Sequence, residues 1–325
     1  MGRARAANPC VTEEPQISVV IPTHNRWPLL STGALRSALG QEDVRHEVIV
    51  VDDGSSDDTP ARLKEIEAPT LHILRHERPL GVAHARNTGI AAARGQWIAF
   101  LDDDDFWSPR KLRNQLDTAG AMDASFVYSD VLVLNLRRHA SYLLTAPESD
   151  GLHSEFLKRY AVPGGPSNMM AETELVRLVG GFDEHLFMTA DWDFWIRLAR
   201  AGRGARCPLV LVANRAHASN MPMRSRWSDL MRDLDYFLGK HGSNGLTVTK
   251  AGFARWLALE RNQSGKRIEA ALRLTWLGLR FGRPRYVLQA LGLFVPRPRR
   301  TAEDSDQPVR EPDWVARFLI SDDAA

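Results

Sequence analysis

Four consecutive carboxylates at positions 102–105 follow an apolar run and are the most chemically suggestive feature of this sequence. Adjacent negative charges repel one another, so a folded loop that holds them is stabilised by a cation among them. Carboxylate oxygens suit Mg²⁺ or Mn²⁺ better than Zn²⁺. The run therefore predicts a divalent metal site, although a solvated acidic turn in which Asp105 caps the next helix remains an alternative.

A second acidic residue, Asp191, opens a later helical pattern and is the next candidate for catalysis. Apolar side chains recur at helical spacing from Trp192 onwards, so Asp191 lies in the first turn, where the helix dipole favours a carboxylate. The same position also fits an acid that only stabilises the helix start. In that alternative, Asp193 pairs with Arg197 four residues later.

Buried strands must position the acidic loop, because residues 96–101 leave no polar face before it. Strands that alternate with helices favour a parallel, doubly wound sheet, in which ligands bind at the carboxyl ends of the strands. The polar loops at 23–26, 52–59 and 102–105 all fall on that edge. The predicted strands are residues 17–22, 47–51, 71–74 and 96–101, and the predicted helices are 28–39 and 82–93. Ser108-Pro109 is expected to open the helix that follows the acidic loop. Residues 131–136 are strand-like, and residues 140–145 could return beside them as a hairpin.

Composition excludes several classes of protein. The 325 residues are 44% hydrophobic and 25% charged with a formal net charge of +2, so nothing global indicates nucleic-acid binding. Cys10 and Cys207 lie far apart, which argues against a disulfide scaffold and favours a reducing compartment. No apolar run reaches the roughly 18 residues that span a bilayer, and no apolar signal core follows the N-terminal arginines, so we expect a cytoplasmic location. Neither a Gly-x-Gly-x-x-Gly turn nor a P-loop is present.

Four segments resemble, in order and spacing, the successive motifs of family 2 glycosyltransferases. They are VIPTHNR at 20–26, VVDDGSSDDT at 50–59, GVAHARNTG at 81–89 and FLDDDD at 100–105. The resemblance covers roughly residues 16–220. It implies the GT-A fold, a doubly wound mixed α/β sheet in which a nucleotide-sugar-binding half is joined to an acceptor-binding half.

The resemblance implies roles for residues in the first two motifs. Pro22, Thr23 and Arg26 are expected around the nucleotide. Asp53 is expected against the base, where a carboxylate can accept the imide proton of uracil, and Asp52 is expected near the ribose.

The third and fourth motifs carry the implied diphosphate and metal contacts. Arg86 and Asn87 are expected next to the donor, where the Arg86 guanidinium could pair with the diphosphate in a bidentate manner. A salt bridge on the helix surface is the alternative for Arg86. Asp104 is the expected metal ligand, whereas Asp102 or Asp103 would reach the ribose or a metal-bound water.

The implied acceptor side includes Asp191, which falls on the aspartate of the family's Glu-Asp motif and is expected to act as the general base. Ala190 stands where that motif has its glutamate, which puts a second acidic contact to the acceptor in doubt. His217 is a candidate metal or diphosphate ligand, with a structural role as the alternative. Arg215 is a candidate phosphate contact beside a lid at 218–226. Residues 160–170 are too rich in glycine and proline for regular structure and are expected to form a loop on the acceptor side.

The domain organisation expected from these patterns has four parts. They are a flexible leader (1–15), a GT-A domain (16–225, with halves 16–120 and 121–225), a basic helical region (226–295) and a flexible tail with a short terminal helix (296–325). Residues 251–300 hold eleven Arg and Lys against two acids. Such helices could lie on an anionic membrane leaflet or pack on the catalytic domain, and both alternatives stay open.

The resemblance implies an inverting, metal-dependent glycosyltransferase that uses Mn²⁺ or Mg²⁺. It would move a sugar from a nucleotide donor, UDP-linked by expectation, to a hydroxyl of a glycan or lipid-linked acceptor in polysaccharide or glycoconjugate synthesis. A catalytically silent nucleotide- or glycan-binding module on the same fold is one alternative, which Ala190 keeps open. A sugar nucleotidyltransferase is another, although the Gly-rich loop usual after its first strand is missing.

Overall fold

A nine-stranded mixed sheet runs through the part of the chain that the computed structural model describes, residues 14–135, 140–215, 226–263, 266–294 and 312–319. The strands are β1 (Ile17–Thr23), β2 (His46–Asp52), β3 (Leu71–Arg75), β4 (Trp97–Phe100), β5 (Phe106–Trp107), β6 (Phe126–Asn135), β7 (Ala140–Leu144), β8 (Met170–Glu172) and β9 (Gly204–Arg215). Their spatial order is β3-β2-β1-β4-β8-β6-β9-β5, with β7 paired to β6.

The sheet changes direction at β8. Strands β1 to β4 pair in parallel, as helical crossovers require. The three-residue strand β8 is antiparallel to both β4 and β6. It therefore joins the parallel part to a second part, in which β6 and β9 run parallel and β5 and β7 run antiparallel to their neighbours.

Helices connect and cover the strands. Residues 27–39 form one helical segment, α1 (Trp27–Leu29) and α2 (Leu35–Leu39), joined by a π-helical turn (Leu30–Ala34). The following helices are α3 (Thr59–Lys64), α4 (Val82–Ala92), α5 (Lys111–Met122), α6 (Leu152–Lys158), α7 (Thr173–Leu178), α8 (Ala190–Ala201), α9 (Trp227–His241), α10 (Lys250–Gln263), α11 (Arg267–Arg280), α12 (Pro284–Gly292) and α13 (Ala316–Leu319).

Two apolar clusters fill the two faces of the sheet. The first is rich in aromatic side chains, with Phe100 packed edge-on against Phe182 and Phe194. The second joins β1 and β2 to the helical segment after β1 and includes Trp107. Burial on both faces explains why β1, β2 and β4 are largely continuous apolar runs without polar alternation.

The structure confirms most of the predicted elements of the first half. The alternation of parallel strands with helices was predicted, and so was the β6–β7 hairpin. Two predictions were wrong. Residues 160–170 were expected to lack regular structure but contain a 3₁₀ turn (Gly165–Asn168) and β8. The acidic loop was expected to lead directly into a helix at Ser108, but β5 intervenes and α5 begins at Lys111.

The C-terminal part is helical, as predicted from its periodicity. The last described helix, α13, is not isolated, because Val315 and Phe318 are buried against Phe106 and Leu132. Among the described residues, no helix is long and apolar enough to cross a membrane.

Candidate active site

The acidic loop after β4 lies beside the loop after β1, because these two strands are parallel neighbours. Thr23 Oγ1 donates a hydrogen bond to Asp103 Oδ2 at 2.8 Å. The Arg26 guanidinium lies between two carboxylates, 3.0 Å from Asp103 Oδ1 and 2.9 Å from Asp104 Oδ2. Thr23, Arg26 and the acidic loop are thus brought together, while Pro22 is buried within β1 opposite Val51.

The two central carboxylates of the loop differ in exposure. Asp103 is 5% exposed, and burial together with the charge of Asp104 raises the pKa of Asp103 to about 7. The side chain of Asp104 remains 18% exposed. A raised pKa in this cluster means that additional positive charge beside it is favourable.

Asp105 attaches the acidic loop to the rest of the protein through buried hydrogen bonds. Its carboxylate accepts hydrogen bonds from Ser167 Oγ and Asn214 Nδ2, both at 2.6 Å. Burial and the charges of the neighbouring Asp104 and Asp102 raise the pKa of Asp105 well above its usual range. The expected alternative, Asp105 as a helix cap, is wrong, because α5 begins six residues later and Asp105 ties the loop to the 3₁₀ turn and to β9.

Arg86 reaches the acidic loop from α4. Its guanidinium is 2.5 Å from Asp102 Oδ1 and lies 5.0 Å from the centre of the Phe182 ring. Asp102 is further fixed by a hydrogen bond from its backbone N–H to Ser167 Oγ. Arg86 is only 5% exposed, and its buried Nε has no hydrogen-bond partner among the described residues. It therefore does not form the surface salt bridge that was its alternative role.

Asn87, the neighbour of Arg86, faces another part of the molecule. Its amide donates to the Phe182 carbonyl and to Glu184 Oε1, both at 2.9 Å, and accepts from the Phe182 N–H at 2.8 Å. Gly181 has φ +65°, and a Cβ there would lie 2.5 Å from Asn87 Oδ1. Asn87 thus holds the Gly-Gly-Phe turn, which in turn supports the ring beneath Arg86.

The two acids after β2 are also bound by protein groups. Asp52 is 1% exposed and pairs with Arg75 and with the Ser55 N–H. Asp53 accepts from His76 Nδ1 at 2.7 Å and from the N–H groups of Leu80 and Gly81 at 2.8 Å. Although burial opposes ionisation, these hydrogen bonds hold the pKa of Asp53 below its usual value. Both carboxylates therefore organise the loops at this edge of the sheet.

Asp191 lies in the first turn of α8, as predicted. Tyr160 Oη donates to Asp191 Oδ2 at 2.7 Å, and the Trp192 N–H donates to Asp191 Oδ1 at 2.8 Å. Burial raises the pKa of Asp191, whereas the Tyr160 hydrogen bond and the charge of Arg86 oppose that rise. Asp191, Tyr160, Arg86 and Asp102 thus share one electrostatic environment.

Asp193, two residues later, has a separate structural role. It is fully buried and is contacted by Arg197 at 2.6 Å and by Lys240 and His241 at 2.8 Å. Burial opposes ionisation, but these partners keep the pKa of Asp193 below its usual value. The predicted Asp193–Arg197 pair therefore exists alongside the Asp191 site and does not replace it.

Arg215, the candidate phosphate contact, lies against β5, the strand that directly follows the acidic loop. It ends β9, is 6% exposed, and stacks 5.0 Å from the centre of the Phe106 ring. Its Nη1 lies 3.4 Å from Thr32 Oγ1. His217 lies outside the described residues.

A scan against protein families matches residues 18–160 to the model described as Glycosyl transferase family 2. Residues 18–160, fewer than half of the chain, are thus similar to this family. The succinoglycan biosynthesis protein ExoO of Rhizobium meliloti is 39% identical over 128 residues, which are 39% of this chain and 36% of ExoO. The uncharacterized glycosyltransferase YwdF of Bacillus subtilis is 29% identical over 81% of this chain and 96% of its own length.

A third relative is the UDP-Glc:alpha-D-GlcNAc-diphosphoundecaprenol beta-1,3-glucosyltransferase WfgD of Escherichia coli. It is 34% identical over 37% of the chain and 47% of WfgD. The chain thus covers less than half the length of ExoO and of WfgD, whereas it covers nearly all of YwdF.

Solved structures support the fold of this chain. S. aureus TarS 1–349 in complex with UDP-GlcNAc has a TM-score of 0.55 at 18% identity, covering 85% of this chain and 80% of that one. The mannosyltransferase PcManGT of Pyrobaculum calidifontis, in complex with GDP-Man and Mn²⁺, has a TM-score of 0.55 at 21% identity, covering 86% and 80%. The predicted GT-A fold class is confirmed.

Three residues of the site were missed by sequence reasoning: Tyr160, Ser167 and Asn214. The segment 160–170 was singled out only as an acceptor-side loop. Its Gly164-Gly165 pair was a usable signal, because both residues have positive φ and the turn they make leads into Ser167. Nothing near Asn214 in the sequence indicated a partner for Asp105.

Proposed function

We propose that this chain is an inverting, metal-dependent glycosyltransferase that moves a sugar from a UDP-sugar to a hydroxyl of a glycan or lipid-linked acceptor. The observation that carries the proposal is that a candidate base and a candidate phosphate-binding arginine lie close to each other. A partly buried carboxylate, Asp191, lies within the field of the Arg86–Asp102 pair at the carboxyl edge of the sheet. One base and one cationic leaving-group site are what direct displacement at an anomeric carbon needs.

The nucleotide is proposed to bind along the ends of β1 and β2. Thr23 and Arg26 would line this site, with Pro22 shaping the end of β1 behind them. Asp53 keeps one lone-pair direction for the imide of a uracil base, since each carboxylate oxygen can accept twice and three donors are in place. Asp52 would contribute indirectly, by fixing the loop after β2 through its hydrogen bond from the Ser55 N–H.

The diphosphate is proposed to lie between Arg86 and Arg26. Both guanidiniums now pair with carboxylates of the acidic loop, Arg86 with Asp102 and Arg26 with Asp103 and Asp104. Planar guanidiniums match phosphate oxygens in bidentate geometry, so each could exchange a carboxylate for the donor. Asn87 would contribute by holding the turn that supports Arg86.

Asp191 is proposed as the general base. The acceptor oxygen would attack the anomeric carbon as the bond from that carbon to the diphosphate oxygen breaks, and the hydroxyl proton would pass to Asp191. A carboxylate whose pKa is raised by burial is a better proton acceptor than a fully solvated one. This single displacement inverts the configuration and requires no nucleophile from the protein.

The residues of the acidic loop fit a divalent metal. Asp102 and Asp104 retain exposed carboxylate surface, 31% and 18% of their side chains, and offer hard oxygen donors. No group of three or more metal-binding side chains occurs among the described residues, so diphosphate and water oxygens would complete the shell. Asp104 is the proposed main ligand, and His217 remains a predicted one. Bound Mn²⁺ or Mg²⁺ would stabilise negative charge on the departing nucleoside diphosphate.

The choice of UDP is supported by relatives and neighbours. WfgD is named for a UDP-Glc donor, and TarS was solved with UDP-GlcNAc. PcManGT was solved with GDP-Man, so the nucleotide needs a direct test. Cell-surface polysaccharide or glycoconjugate synthesis is the proposed context, in line with the name of ExoO.

Calorimetric titration with UDP, GDP, dTDP and CDP, each with and without Mn²⁺, tests the proposal. We expect Mn²⁺-dependent binding of UDP that Asp104→Ala abolishes and Asp191→Asn retains, while Asp191→Asn stops sugar transfer. Asp117→Ala, on the exposed surface of α5, is the matched control. Equal UDP affinity in wild type and Asp104→Ala with Mn²⁺ present would contradict the metal assignment. The absence of metal-dependent binding of any nucleotide would favour a silent module.

A further inference from the structure

Helices α10, α11 and α12 pack against one another at the C-terminal side of the molecule. On α11, the buried face is formed by small and apolar residues that include Leu274, Leu277 and Gly278. A Cβ at Gly278 would lie 2.6 Å from Val287 Cγ2, so α11 and α12 approach closely there. The unit therefore has its own apolar interior, centred on one side of α11.

The opposite side of α11 is apolar as well, yet it is exposed. Ile268, Leu272, Trp276 and Leu279 are 69%, 67%, 51% and 75% exposed. Their spacing of four, four and three residues puts them in one stripe along the helix. The neighbouring α12 adds Leu288 and Leu291, which are 69% and 63% exposed. An exposed apolar stripe of this kind along one helix marks an interaction site in a folded protein.

The helices that carry this stripe are strongly basic. Residues 250–294 contain nine Arg and Lys against two acids, whereas the rest of the chain contains 33 against 38. Several of these arginines lie near aromatic rings: Arg267 over Phe294, Arg273 over Trp227, and both Arg255 and Arg285 beside Tyr286. The helical unit whose apolar side chains face solvent therefore carries a large excess of positive charge.

We propose that the exposed stripe of α11, defined by Ile268, Leu272, Trp276 and Leu279, docks into the interface of an anionic lipid bilayer. Exposed leucine and tryptophan side chains would enter the headgroup boundary, while the arginines of these helices would contact anionic headgroups. Pairing of this face with a second copy would bring two strongly basic surfaces together, which like charges oppose. Charge complementarity therefore favours the lipid surface.

This inference extends the proposed function. Only the biological purpose of membrane docking, and not the docking itself, rests on that function. A helix lying on the bilayer would hold the enzyme beside an acceptor that is linked to lipid. The docking itself requires neither donor nor metal, so it can be measured independently of catalysis.

The test is co-sedimentation of the full chain with phosphatidylglycerol vesicles and with phosphatidylcholine vesicles, without nucleotide. We expect binding to the anionic vesicles that weakens as salt is added. Leu272→Glu and Leu279→Glu should each lower the vesicle partition coefficient about tenfold or more, since each removes an inserted leucine and adds a negative charge. Leu178→Glu on α7, where the native leucine is 78% exposed, is the matched control and should bind as wild type.

Three kinds of result would overturn the proposal. One is unchanged vesicle binding by Leu279→Glu, or equal binding to both vesicle types. Another is a wild-type dimer in light scattering that Leu279→Glu dissociates, because the stripe would then join two copies. A third is a fall in the unfolding temperature of Leu272→Glu as large as that of Leu274→Glu on the buried face, because the chain itself would then cover the stripe. UDP affinity, measured separately, reports on the proposed function alone.

Discussion

Tyr160→Phe should move the acidic limb of the pH–rate profile to higher pH. Tyr160 Oη donates at 2.7 Å to Asp191 Oδ2, the carboxylate proposed as the base. This hydrogen bond favours the ionised form, so its removal raises the pKa of Asp191. Phenylalanine keeps the aromatic ring, which packs edge-on against Trp192 at 6.1 Å between ring centroids.

The size of the shift follows from the exposure of the pair. A hydrogen bond to a charged group contributes about 1.5–3 kcal/mol net, and one pKa unit corresponds to about 1.4 kcal/mol. Tyr160 is 38% exposed, so water can replace part of the lost donor. Asp191 also keeps the donor from the Trp192 N–H. We therefore expect a rise of about one unit, at the lower end of that range.

The assay is kcat/KM for sugar transfer from pH 5 to 9. Below the shifted limb, Tyr160→Phe should be about tenfold slower than wild type, and above it the two rates should converge. Tyr236→Phe is the control, since that hydroxyl also lies near an aspartate, 3.3 Å from Asp183 Oδ2, but outside the site. An unshifted limb, or an equal loss of rate at every pH, would refute the role of Tyr160 in setting the pKa of Asp191.

Two further predictions concern stability. Asp103→Asn should flatten the pH dependence of stability. The pKa of Asp103 is about 7 in the folded protein and about 4 in the unfolded chain, so between these pH values only the folded state holds the proton. The free energy of unfolding of the wild type therefore falls as pH rises through that window, by at most about 4 kcal/mol. Urea midpoints at pH 5 and 7.5 measure this fall, and an equal fall in Asp103→Asn would contradict the prediction. Asp233→Ala should destabilise the fold by about 3 kcal/mol, because the 5% exposed carboxylate accepts from the N–H groups of Phe187, Met188 and Thr189 and from Thr189 Oγ1. The substitution should also lower transfer activity, because residues 187–189 lead into the helix that carries Asp191. An unfolding temperature equal to that of the wild type would disprove the predicted loss of stability.

The sequence by itself determined the parallel strands and most of the helices of residues 16–120. Apolar runs such as 48–51 are long enough to require burial, and polar loops that follow them must then lie at one edge of a parallel sheet. This reasoning located Thr23, Arg26 and the acidic loop at a common edge, where hydrogen bonds now join them. It also put Asp191 in the first turn of its helix.

The tertiary structure decided which polar groups meet across long stretches of chain. Tyr160 reaches Asp191 over 31 residues, and Ser167 reaches Asp105 over 62. It also showed that Asn87 forms hydrogen bonds with the turn at Phe182 and that Arg215 packs on Phe106. Local periodicity fixes an element and its buried face, but a side-chain hydrogen bond depends on how distant elements cross. That crossing is set by packing of the whole core, which no single segment encodes.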